Sequence, residues 1–134
     1  MTSENIALIQ SIYAAFGRGD IGFIAAHTAE DARWDFNTSA SPVPWHVPVT
    51  GPQEVPDFLA AFSGNVDVEM FDPRHFIAQG EDVVVQLGLA YTVKSTGRRV
   101  REEQLQWWKV RGGKIAALRH FEDTAQVLAA WTGL

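Results

Sequence analysis

The sequence predicts an α+β fold in which N-terminal helices pack against a curved, cone-shaped antiparallel sheet. Three observations carry this reading. Helical periodicity is confined to the first half of the chain and its last few residues. The second half reads as long strands joined by short, glycine-containing turns. No helical stretch separates those strands, unlike the alternation that builds a parallel α/β sheet. At 134 residues, 46% hydrophobic and 20% charged, the chain has the size and composition of one ordinary globular domain.

Ile6, Ile9, Tyr13 and Phe16 share one helical face, with Thr2 or Ser3 placed to cap its start and Gly17 and Gly19 to end it. Asp20 is placed to cap a short second helix through Ile21, Phe23 and Ile24, and residues 32–36 follow as a strand. Residues 37–50 hold Pro42, Pro44 and Pro48 with Trp45 and His46 between them, which predicts an extended flap bordering a binding site. Gly51 and Pro52 open a third helix reaching Phe62, with Pro56 confined to its first turn. Residues 66–76, 82–95, 98–111 and 114–122 are the strands of an antiparallel meander. Asp123-Thr124-Ala125-Gln126 has the form of a capping box and starts a terminal helix carrying Val127, Leu128 and Trp131.

A net charge of -5 argues against a nucleic-acid partner, since phosphate binding draws its strength from clustered Lys and Arg. The one basic cluster, Lys94, Arg98, Arg99 and Arg101, surrounds a hairpin tip and is followed at once by Glu102 and Glu103, so it reads as a self-neutralising strand end. No apolar run approaches the length that spans a bilayer, and the first ten residues lack a basic-then-apolar leader, so a cytoplasmic protein with no membrane partner is expected. The absence of cysteine excludes a disulfide, a thiolate zinc site and a thiol nucleophile. His27, His46, His75 and His120 show no metal-ligand spacing, and neither a metal nor an organic cofactor is expected.

Strand alternation decides which residues share a face. Val83, Val85, Leu87, Leu89, Tyr91 and Val93 form one apolar face. A two-residue turn at Thr96-Gly97 sets Val100, Glu102, Gln104, Gln106, Trp108 and Val110 beside them, whereas a three-residue turn selects Arg99, Arg101, Glu103, Leu105 and Trp107. The first register is preferred because it pairs apolar residues at both ends. It leaves Glu102, Gln104 and Gln106 in the middle, and the last strand adds Leu118, His120 and Glu122. Each polar residue alone is explained by a cross-strand hydrogen bond or a satisfied core position; together on a concave face they point to a ligand cavity. Trp34, Trp45 and Trp108 are its expected walls, joined by Phe36, Phe58, Phe62 and Tyr91. Leu105, Trp107, Arg119 and Phe121 then face outward, and so apolar a face predicts a homodimer.

Four stretches carry a resemblance: Ile12-Tyr13-Ala14-Ala15-Phe16 with Gly19-Asp20; Glu30-Asp31-Ala32-Arg33-Trp34; Gly51 before residues 55–62; and residues 108–115 with Arg119-His120-Phe121-Glu122-Asp123-Thr124. Over essentially the whole chain they resemble the SnoaL-like branch of the nuclear transport factor 2 superfamily. That resemblance implies a cone enclosing a pocket for a small apolar molecule. It does not imply steroid isomerisation, because the steroid isomerase's tyrosine, base aspartate and protonated aspartic acid fall on Ile12, Phe36 and Gln106. Tyr13 is one position off and is expected to face another way. Polyketide cyclases are more similar: where their last strand carries Glu-His-Trp-Asp, this chain has Arg119-His120-Phe121-Glu122. The resemblance makes Glu122 the acid-base residue and His120 its orienting partner in a cofactor-free lyase or isomerase. A non-catalytic ligand-binding or dimeric scaffold domain is the alternative reading.

Overall fold

The structure is a computed structural model that describes residues 2–38 and 40–133; Met1, Ser39 and Leu134 lie outside the described residues. The helices are α1 (Thr2–Gly17), α2 (Ile21–Ala26), α3 (Val55–Ser63) and α4 (Thr124–Thr132). The strands are β1 (Thr28–Phe36), β2 (Val49–Thr50), β3 (Val66–Gln79), β4 (Asp82–Val93), β5 (Arg99–Arg111) and β6 (Lys114–Phe121). They form one open sheet in the order β2-β1-β6-β5-β4-β3, with β1 parallel to β6 and every other pair antiparallel.

Local chemistry accounts for most of the boundaries. α1 already includes Thr2 and Ser3, so neither precedes the helix as its cap. It ends at Gly17, and Gly19 takes φ +72 to turn the chain into α2. The Asp20 carboxylate accepts from the Phe23 amide at 3.1 Å and caps α2. Pro56 sits in the first turn of α3, where its missing N–H costs nothing. β1 begins four residues earlier than the apolar pattern indicates. Thr28 through Asp31 pair only irregularly with β6, across a register shift, and Thr-Ala-Glu-Asp carries no strand signature.

The predicted face of the meander is the buried one: Val83 pairs with Trp108, Val85 with Gln106, Leu87 with Gln104, Leu89 with Glu102 and Tyr91 with Val100. The connection is longer than two residues. Val93 hydrogen-bonds Arg98 across a four-residue loop, residues 94–97, closed by Gly97 at φ +72. The two extra loop residues slide each pairing by two positions and leave side-chain parity intact, so the same residues stay inside.

α1 packs on β3 and β4, α3 packs on β3, and α4 covers β5. The core between helices and sheet holds Ile9, Ile12, Ile24, Val55, Leu59 and the apolar face of β4. Residues 40–48 depart from the expected extended flap. Val43 and Trp45 are buried, and the His46 amide bonds the Val43 carbonyl at 3.0 Å, so the segment is a compact turn sewn into the core. Pro42 and Pro44 limit its freedom, and the Trp45 side chain drives it inward. None of the described helices is long and apolar enough to cross a membrane.

Candidate functional site

The concave face of the sheet and the helices above it enclose a cavity of about 80 Å³, several times the ~10–15 Å³ that one water needs. Strand pairing lays out its floor in rows. Trp34, Leu118 and Trp108 form one row across β1, β6 and β5; Phe36, His120 and Gln106 form the next; Glu122 lies two residues beyond His120. Phe58, Leu59 and Phe62 of α3 and Tyr13 and Phe16 of α1 close the cavity from above, with Trp45, Phe71 and Tyr91 at its side. Of the residues expected from the sequence, Trp34, Phe36, Trp45, Phe58, Phe62, Tyr91, Gln104, Gln106, Trp108, Leu118, His120 and Glu122 all line it.

Glu102 does not. It is buried, but β6 has ended by its row and the start of α4 lies there instead, so its Oε1 accepts from the Asp123 amide at 2.8 Å. Burial pushes its carboxyl up to about 7, helped by the neighbouring charges of Glu122 and Asp123 and opposed by that amide bond. Its Oε2 is buried without a partner. Asp123 caps α4 by accepting from the Gln126 amide at 3.1 Å. The return half of the capping box comes from Glu102, because Gln126 turns to the Arg101 backbone and the Asp123 carboxylate.

Tyr13, expected to face elsewhere, points into the site beside Ile12. Consecutive helical residues are about 100° apart, and a wide apolar stripe holds both. The Trp108 indole N–H donates to the Tyr13 hydroxyl at 2.9 Å, the hydroxyl donates to Gln106 Oε1 at 2.9 Å, and Gln106 Nε2 donates to Gln104 Oε1 at 2.6 Å. Burial pushes the Tyr13 phenol up, which keeps its proton in place to donate. The chain of bonds ends at Gln104, whose amide nitrogen favours the ionised form of the Glu102 carboxylate. Trp34 Nε1 and the Tyr91 hydroxyl, both buried in cavity-lining residues, have no protein partner among the described residues.

His120 stacks on Phe36 at 4.2 Å with nearly parallel rings, and its Nδ1–H donates to the Asp35 carbonyl at 3.1 Å. Burial lowers its pKa to about 4, so the ring is neutral at neutral pH with Nε2 as an acceptor. Glu122 Oε1 lies 2.7 Å from His46 Nε2, and both side chains are almost fully buried, at 2% and 1% exposure. His46 Nδ1 is in turn 2.8 Å from Ser41 Oγ. Sequence reading placed His46 only in a loop near the site; its position next to a tryptophan, whose burial draws the loop inward, was the available signal. Ser41, His46 and Glu122 have the composition of a hydrolase triad in reverse order. The carboxylate faces the cavity and the serine lies away from it, so Ser41 is no nucleophile.

The family model described as "SnoaL-like domain" matches residues 9–118. The chain belongs to the SnoaL-like family. No curated protein matches its sequence. Among solved structures it is similar to an NTF2-like protein from Burkholderia xenovorans LB400, 30% identical over 97% of each chain with a TM-score of 0.88. It is also similar to TerC co-crystallized with polyporic acid, 25% identical over 95% of this chain and 97% of that one, TM-score 0.80. An M. tuberculosis LEH-like epoxide hydrolase, 19% identical over 99% and 90% of the two chains with a TM-score of 0.74, shares the fold. In this member the cavity wall carries His120 of β6 and, just past the strand's end, Glu122.

Proposed function

We propose that this SnoaL-like protein is a cofactor-independent isomerase or lyase that moves a proton next to the carbonyl of a small, largely apolar compound. The observation that carries the reading is the Glu122 carboxylate at the cavity wall, one of its oxygens held by His46. A base so placed accepts a carbon-bound proton while water is largely excluded. Neutral His120 presents Nε2 as an acceptor that orients a hydroxyl or enol of the substrate. Trp34 Nε1–H and the Tyr91 hydroxyl are unpartnered polar groups for an oxygenated ligand to satisfy. The co-crystallization of the neighbour TerC with polyporic acid supports a small-molecule ligand.

The test is exchange of the α-protons of 2-tetralone in D2O, followed by proton NMR. The protein is expected to accelerate exchange above the buffer rate. An unchanged rate across this and related alicyclic and aryl ketones contradicts the reading.

A further inference from the structure

We infer that His46 is a positioning residue for Glu122, building one oriented carboxylate out of two segments of chain far apart in sequence. The inference rests on the acid-base reading of Glu122. The terminal torsion of a glutamate is soft and roughly two-fold, so a lone carboxylate at a cavity wall samples many orientations. Here Oε1 is fixed by His46 Nε2 at 2.7 Å, which leaves Oε2 as the oxygen presented to the cavity. A carboxylate only accepts, so Nε2 carries the proton. In the neutral ring Nδ1 is then the acceptor, and the Ser41 hydroxyl donates to it at 2.8 Å while accepting from the Val43 amide at 3.1 Å. Every polar atom of this three-residue chain has a role in a single tautomer.

The scaffold around it is equally constrained. His46 does not line the cavity; its ring packs on Phe36 at 4.9 Å, and its neighbour Trp45 is anchored against Phe62 and Tyr91. The Asn37 side chain donates to the Glu122 carbonyl and accepts from the Glu122 amide, each at 3.3 Å. The loop therefore grips residue 122 twice, by backbone through Asn37 and by side chain through His46. Holding a reacting group in one geometry is worth orders of magnitude in rate, and a displacement near 1 Å costs about 100-fold.

Two measurements test this. In 15N-histidine-labelled protein, His46 is expected in the Nε2–H tautomer, with that resonance shifting in Glu122→Gln; an Nδ1–H tautomer, or no response to the substitution, overturns the inference. In the 2-tetralone exchange assay, His46→Ala is expected to lower kcat by on the order of 100-fold with KM unchanged. His46→Gln, whose amide N–H reaches the same oxygen, restores most of the rate. A loss confined to KM, an unchanged kcat in His46→Ala, or no rescue by Gln contradicts a positioning role. If the wild-type protein exchanges no ketone, the proposed function falls, and the tautomer measurement alone decides whether His46 holds Glu122.

Discussion

Two buried titratable residues, Glu102 and His120, give the fold a pH dependence whose parts oppose each other. Burial raises the Glu102 carboxyl from 4.5 to about 7, so the folded state binds a proton there that the unfolded chain has lost. Its contribution is fully present below about pH 4.5 and declines as pH rises through about 7. Burial lowers His120 from 6.5 to about 4, so its contribution is present above pH 6.5 and declines as pH falls through about 4. Between these limits the two slopes largely offset one another, and the wild-type stability profile is expected to be flat there. Glu102→Gln keeps the acceptor for the Asp123 amide and removes the titration. Its Tm relative to wild type is expected to improve as pH rises from about 4.5 to 7 and to hold constant above; a pH-independent difference contradicts the assignment. The sequence made Glu102 visible as an inward polar residue but not its partner. Parity gives the face a side chain takes, whereas what lies over that face depends on where β6 stops, three residues before the row of Glu102 is reached.

At the scale of elements, alternation and turn glycines made the meander legible, and Asp20 and Asp123 announced their helices through capping chemistry. The proline-rich segment packs inward where a flap is expected, because prolines signal a lack of regular structure and say nothing of burial. Its tryptophan decides the matter: Trp45 meets Phe62 at 5.4 Å and Tyr91 and Trp131 at 6.0 Å, all edge-on, and ties the loop to α3, β4 and α4. Trp45→Ala is expected to cost about 3–5 kcal/mol, read from urea unfolding. A loss under about 1 kcal/mol, the scale of a surface change, would mean the loop is an open flap after all. β1 was legible only in its second half, since its first residues are polar and gain their strand geometry from pairing beside β6 rather than from a pattern of their own.

For the whole molecule, the outward side of β5 and β6 leaves Leu105 45% and Trp107 40% exposed, with the Arg119 guanidinium over the rings of Trp107 and Phe121. A second copy of the chain is the proposed cover for this face. Sedimentation at micromolar concentration is expected to show a dimer, and Trp107→Lys a monomer; a wild-type monomer contradicts it. The α+β cone was legible because parity, turns and caps agree at every level. The pairing of His46 with Glu122 was not, since it joins residues 76 positions apart through a loop whose path is set by packing. The central claim, that Glu122 acts chemically and is more than a satisfied buried carboxylate, is tested most directly by measuring 2-tetralone exchange and urea unfolding on Glu122→Gln. The account predicts exchange lowered by roughly 100-fold or more with little change in stability. A destabilised variant that exchanges as fast as wild type would contradict it and leave a binding domain in its place.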